Sequence, residues 1–237
     1  MASINGPKSR ELLAELTDDI DLDPESFPFM SMKEGHVAGV PARVYRISFT
    51  GEMAYEINVP ARYGKHVWDK LIEHGEKHDL TLYGTEAMHV LRAEKGFIIV
   101  GQDTDGSVTP MDINHDWIVS KKKDDFLGRR SFARTDTARP GRKQLVGLLT
   151  EDPNVVLPEG AHAVAQVKPQ PPMDMLGHVT SSYYSPNVGR SIAMALIKDG
   201  LNRMGETIEI PLMDGKVHKA KITDTVFFDK EGVRARG

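Results

Sequence analysis

Cysteine is absent from the 237 residues. That excludes disulfides, thiolate nucleophiles, iron–sulfur clusters and cysteine-ligated zinc within the chain. It fits a reducing compartment, and we expect a cytoplasmic location. No run of eighteen apolar residues occurs, so neither a spanning helix nor a membrane partner is expected. The opening Met1-Ala2-Ser3-Ile4-Asn5-Gly6-Pro7 lacks the basic and apolar regions of a secretory signal. Positive charge is not in excess: 30 Lys and Arg against 34 Asp and Glu give −4, which argues against a nucleic-acid partner. What remains is ordinary globular composition, 40% hydrophobic and 27% charged, enough to bury a real core in one large domain or two small ones.

The common catalytic signatures are missing too. There is no G-x-x-x-x-G-K-[ST] loop, no G-x-G-x-x-G after a strand and no G-x-S-x-G elbow. Nine histidines invite a metal reading. His66, His74 and His78 fall on or near one helix, but no carboxylate flanks a spaced pair convincingly. They read as solvent-facing, and no metal site is expected.

The patterning divides the chain. Pro7 followed by Leu12, Leu13 and Leu16 opens a helix. Residues 18–42 carry no sustained period and read as loops with one short strand. Tyr45, Ile47 and Phe49, then Tyr55, Ile57 and Val59, alternate around a turn at Thr50–Met53, which predicts a hairpin. Residues 61–78 place Tyr63, Val67, Trp68, Leu71 and Ile72 on one helical face. Leu80–Tyr83 reads as a strand and Thr85 caps a second helix that Gly96 stops. Phe97–Val100 and Trp117–Val119 read as strands, and Leu127–Ala133 as a short helix. Residues 134–141 read as a linker. Six short strands follow, at Leu145–Leu149, His162–Val167, Met175–Thr180, Ser191–Leu196, Thr207–Ile210 and Val217–Val226, spaced as in a small barrel. The expected fold is α+β: a first domain over 1–138, then a small antiparallel β-barrel over 139–237.

Two sites carry chemistry worth following. Glu56 lies mid-strand on the face opposite Tyr55 and Ile57, so it must face solvent or a pocket, because burying a carboxylate unpaired is costly. Arg92 and Glu94 close the second helix; from spacing alone they read as an ordinary ion pair or an exposed face.

Family resemblance adds to this. Arg46-Ile47-Ser48-Phe49-Thr50-Gly51-Glu52-Met53-Ala54-Tyr55-Glu56-Ile57 resembles the tyrosine-threonine-glycine-glutamate hairpin of the folate-dependent aminomethyltransferases, the T-protein family of the glycine cleavage system. Leu91–Gly96, Gly101-Gln102-Asp103 with Thr109-Pro110, Asp125–Arg129 and Gly177–Pro186 resemble its later blocks in the same order. Leu148–Asp152, Val156–Gly160, Pro171-Pro172-Met173 and Asp224–Gly232 resemble a branch of it, the C-terminal half of the alpha subunits of heterotetrameric sarcosine oxidases.

The resemblance implies a folate-binding aminomethyltransferase-like domain, incomplete at its N-terminus, followed by the barrel. It implies tetrahydrofolate as cofactor, with Glu56 accepting hydrogen bonds from the pterin, Arg92 near the folate, Phe49 stacking where the family usually has tyrosine, and Tyr184 either approaching the same channel or packing at the domain interface. It implies capture of the one-carbon unit of oxidised sarcosine as 5,10-methylenetetrahydrofolate. No catalytic residue is assigned in this chain, since the family's aspartate would lie before Met1. FMN, FAD and NAD are expected only in an intact complex, and the beta, gamma and delta subunits are the expected partners. The chain alone is expected to be an incomplete catalyst that self-associates or needs the missing segment. The alternative is a structural or assembly module with a vestigial folate site.

Overall fold

The structure, a computed structural model, describes residues 1–237. The chain folds as two compact units, Met1–Arg92 with Asp229–Gly237, and Ala93–Phe228. No helix is long and apolar enough to cross a membrane.

In the first unit, strands β1 (Ala2–Asn5), β2 (Ser31–Val37), β3 (Val40–Arg46) and β4 (Ala54–Asn58) form an antiparallel sheet in the order β1-β4-β3-β2. Along β3, Val40, Ala42, Val44 and Arg46 are buried while Pro41 and Arg43 are exposed, the period-two pattern of a sheet with one covered face. On β4, Tyr55 and Ile57 turn to that same covered face. Helices α1 (Ser9–Ala14) and α2 (Gly64–Gly75) supply Leu12, Leu13, Val67 and Leu71 to the core they close. Burying each such side chain contributes about 1.5–3 kcal/mol.

Two expectations are corrected here. Residues 18–42 hold most of a hairpin rather than loops with one strand. β2 and β3 are joined at Ala38 and Gly39, whose φ values of 50° and 74° are the positive pair a type I′ turn requires. β2 escapes a hydrophobic reading because it is an edge strand with only Val37 fully buried, Ser-Met-Lys-Glu-Gly-His-Val. The second correction is Leu80–Tyr83, which is a loop and not a strand. Leu82 and Tyr83 are exposed there, so their apolar character does not report a core.

The expected hairpin around residue 50 exists as β3–β4, with Tyr45 opposite Glu56. Its connection is longer than a four-residue turn, because residues 47–53 leave the ladder. Ser48 Oγ accepts from the Gly51 amide at 3.0 Å, and Thr50 Oγ1 donates to Asn5 Oδ1 at 3.0 Å. These side-chain bonds replace strand pairing. Helix α3 (Thr85–Glu94) ends as expected before Gly96, which takes a positive φ of 68°.

The second unit contains a closed barrel of β5 (Lys143–Thr150), β6 (His162–Val164), β7 (Met175–Ser185), β8 (Arg190–Lys198), β9 (Thr207–Pro211) and β10 (Val217–Thr223), in the order β10-β5-β8-β7-β6-β9. Its core mixes large with small side chains: Val146, Leu148, Ile197, Ile208, Ile210 and Ile222 beside Ala163, Ala193, Ala195 and Ala220. Such mixing fits a narrow barrel interior. Gly177 permits a close approach of β7 to β8, since a Cβ there would stand 1.8 Å from the Leu196 carbonyl oxygen. β6 stops at Val164, short of the expected Val167; the Val167 amide instead donates to Glu209 Oε2 at 2.7 Å.

Two further expectations fail between α3 and the barrel. Phe97–Val100 is not a buried strand; Val100 is 84% exposed. The Asp103 carboxylate accepts from the Ile99 amide at 2.9 Å and turns this segment back on itself. Trp117 lies in a 3₁₀ turn, Asp116–Ile118, and is 73% exposed, so no strand forms there either. The short helix expected at Leu127–Ala133 is present as a 3₁₀ helix over Arg129–Ala133. Short apolar runs without partners do not make strands.

Candidate functional site

The β1–β4 register fixes what surrounds Glu56. Ser3 stands opposite Glu56 on one side and Tyr45 on the other, and directly paired residues project from the same face. Asn5, two residues beyond Ser3, shares that face. The opposite face carries Ile4, Tyr55 and Ile57 into the core. One sheet therefore presents an apolar face inward and a polar row outward.

That row is knit together. Asn5 Nδ2 donates to Tyr83 Oη at 2.7 Å and to Ser3 Oγ at 3.0 Å, while its Oδ1 accepts from buried Thr50. Glu56 is half-buried at the edge of this cluster, and its carboxylate enters no ion pair or side-chain hydrogen bond. Burial, with a smaller push from the Glu56 charge, raises the Tyr83 phenol above its ordinary value of 10.0, against hydrogen bonds from Ser3 and Asn5. Ser3, Asn5 and Tyr83 also line a cavity of about 790 Å³ walled by Trp68, Leu71 and Leu82. Its size and mostly apolar wall suit a small-molecule site. Glu56 is not itself a wall of that cavity; its neighbours Ser3 and Tyr83 are.

The remaining sequence-predicted residues are placed as follows. Phe49 lies half-buried in the 47–53 loop that precedes β4. Arg92 is fully buried in the last turn of α3. Tyr184 belongs to the second unit, on β7 opposite Ser191, and is 45% exposed. Ser3, Asn5, Thr50 and Tyr83 are the residues the sequence reading missed. Alternation around Ile4 puts Ser3 and Asn5 on one face, but only the strand register brings them to Glu56.

Glu94 is not exposed. It is buried in the second unit, where its carboxylate accepts from Ser185 Oγ at 2.6 Å and Asn187 Nδ2 at 2.8 Å. Nearby motif residues serve the same end. Asp103 accepts from Thr180 and Ser181 at 2.6 and 2.7 Å, and Gln102 Nε2 donates to Glu159, Ser181 and Tyr183. These bonds fasten the segment after α3 to the barrel, and charge-assisted bonds of this kind are the strong ones.

The helix histidines are bonded rather than simply facing solvent. His66 Nε2 lies 3.0 Å from the Ala38 carbonyl oxygen. His74 and His78 flank Glu15 at 3.1 and 2.7 Å. No three such side chains are grouped to hold a metal ion.

Comparison with known proteins agrees with this architecture. Residues 1–123 match the GCVT N-terminal domain, and residues 143–229 match the glycine cleavage T-protein C-terminal barrel domain. Sarcosine oxidase subunit alpha from Corynebacterium sp. (strain U-96) is 47% identical over 99% of this chain, which spans 24% of that relative's length. An aminomethyltransferase from Thermoanaerobacter sp. (strain X514) is 30% identical over 96% of the chain and 59% of its own length. The crystal structure of glycine cleavage system aminomethyltransferase T from Bartonella henselae has the same fold: TM-score 0.78 and 23% identity, covering 96% of this chain and 59% of that one.

Proposed function

The chain belongs to the glycine cleavage T-protein family, and from that premise we propose that it is the tetrahydrofolate-binding part of a sarcosine oxidase alpha subunit. Its role is to capture the one-carbon unit of oxidised sarcosine as 5,10-methylenetetrahydrofolate. The similarity to subunits so named supports the assignment. On this reading it works beside beta, gamma and delta subunits, with FMN, FAD and NAD held elsewhere in the assembly, in the cytoplasm.

The observation that carries the proposal is the half-buried Glu56 carboxylate, which enters no ion pair or side-chain hydrogen bond. A pterin edge presents a ring N–H beside an exocyclic amino group, and a carboxylate accepts both at once. The donor set thus fits. Glu56 would hold the pterin and fix its in-plane orientation. Phe49 would offer an aromatic face with no hydroxyl to donate. Tyr83 and Ser3 would border the ring through hydroxyl groups that donate or accept. Bound there, tetrahydrofolate supplies the nucleophilic nitrogen that takes up a carbon at the oxidation level of formaldehyde. The protein's share is orientation and exclusion of water around that nitrogen.

A calorimetric comparison of two ligands tests this. The chain should bind 5-formyltetrahydrofolate and fail to bind p-aminobenzoylglutamate, which lacks the pterin, at the same concentrations. Equal binding of both would overturn the assignment of the pterin as the recognised group.

A further inference from the structure

On the covered face of the first unit's sheet, Arg46 is a fully buried guanidinium without a carboxylate. Its Nη2 donates to the Arg236 carbonyl oxygen at 3.1 Å and its Nη1 to the Ala54 carbonyl oxygen at 3.4 Å. Its Nε is buried with no acceptor. The guanidinium carbon lies 5.1 Å from the Tyr55 ring centroid and 5.9 Å from that of Phe29. A second cation stands beside it. Arg10, on α1, donates from Nε to Tyr55 Oη at 3.1 Å and enters no ion pair. The two guanidinium tips converge: a Cβ built on Gly237 would lie 3.2 Å from Arg46 Nη2 and 3.4 Å from Arg10 Nη2.

Two neighbouring cations, one of them buried, repel each other and have lost hydration. Two carbonyl dipoles and two ring faces offset only part of that cost. Burial, with the nearby Arg10 charge also acting downward, lowers the affinity of Arg46 for its proton; the Tyr55 contribution opposes this. Beside this pair opens a cleft of about 350 Å³ lined by Arg10, Pro24, Phe27, Pro28, Phe29 and Arg236. Its lining thus includes a third arginine and two aromatic residues, and no acidic one.

We propose that Arg10, Arg46 and Arg236 form an oxyanion site, taking a carboxylate or phosphate group, on the face of the sheet opposite Glu56. A planar oxyanion matches the fork of an arginine, and convergent guanidinium groups recognise such groups far better than lysines do. The anion supplies the counter-charge that the protein around Arg46 lacks. The ligand that fits this chemistry is a free small anion bearing such a group. The inference stands on this cluster alone and is independent of the folate assignment.

Thermal unfolding of the full chain, with sodium phosphate against sodium chloride at matched ionic strength, tests it. Phosphate should raise Tm, and Arg10→Gln should weaken the apparent phosphate affinity by about tenfold or more, the loss of one charge-assisted hydrogen bond. Arg236→Gln, at an exposed position that leaves the core intact, should weaken it in the same direction. No phosphate effect, or the same effect in wild type and both variants, would overturn the proposal.

Discussion

Ser3 and Glu56 face each other across the β1–β4 ladder, on the polar side of a sheet whose other side is core. This pairing places the Glu56 carboxylate without any ion pair to neutralise it, beside the Asn5–Tyr83 hydrogen bond. A rigid strand supports it, with Tyr55 and Ile57 fully buried on either side. Sites built on such elements hold their geometry better than sites on loops.

The nearness of Glu56 to Tyr83 has a spectroscopic consequence. Burial and the Glu56 charge both raise the Tyr83 phenol. Glu56→Gln removes the second cause and leaves the first. Tyr83 should then titrate at lower pH than in the wild type while remaining above the ordinary tyrosine value. Ultraviolet difference titration, with Tyr83→Phe to assign the signal, reads this directly. An unchanged or higher value in Glu56→Gln would show that the two groups do not interact.

Glu15 links α1 to the end of α2 electrostatically. Lys77 and His78, and less strongly His74, lower its carboxyl from 4.5 to about 2, against the opposing effect of desolvation. A depressed carboxyl contributes stability that is complete above about pH 4.5 and is lost as pH falls toward 2. The stability difference between wild type and Glu15→Gln, from urea unfolding, should therefore shrink across that interval. Salt should reduce it too, because Glu15 is partly exposed to solvent. A difference constant from pH 6 to about pH 2 would refute the linkage.

In the second unit, Arg142 makes three contacts of 2.7–3.1 Å with the Asp112 carboxylate, and both side chains are nearly buried. Burial would raise the Asp112 carboxyl, but the bonds from Arg142 and Thr109 outweigh it and lower it. Arg142→Ala leaves a buried charge uncompensated and should cost about 3–5 kcal/mol in urea unfolding. The double variant Asp112→Asn with Arg142→Met should recover part of that loss. A cost below about 1 kcal/mol for Arg142→Ala would place this pair with ordinary surface bridges.

How much of this was legible in the sequence follows from what the signals measure. Period-two alternation located β4, and turn-spaced apolar runs located all six barrel strands. These segments pair on both sides or bury one face, so pattern and structure agree. β2 was missed because an exposed edge strand needs no apolar face. Phe97–Val100 was overread because four apolar residues in a row look like a strand even when Val100 is exposed. Glu56 was legible because a carboxylate among alternating apolar residues must point out of the core. Its neighbours were not, since Tyr83 lies 78 residues from Asn5 and only tertiary structure joins them. Arg46 was invisible as a buried cation, because arginine in a strand normally reads as surface.

The account depends most on Glu56 as the anchor of a bound pterin. Isothermal titration of the chain with 5-formyltetrahydrofolate, beside Glu56→Gln and Glu56→Asp, tests that directly. Glu56→Gln keeps the shape but exchanges a charged acceptor for an amide, so affinity should fall by roughly tenfold to a hundredfold, as for loss of a charge-assisted pair. Glu56→Asp, which keeps the charge but shortens the reach, should fall between the two. Binding by wild type that is unchanged in Glu56→Gln, or no binding by wild type at all, would contradict the assignment.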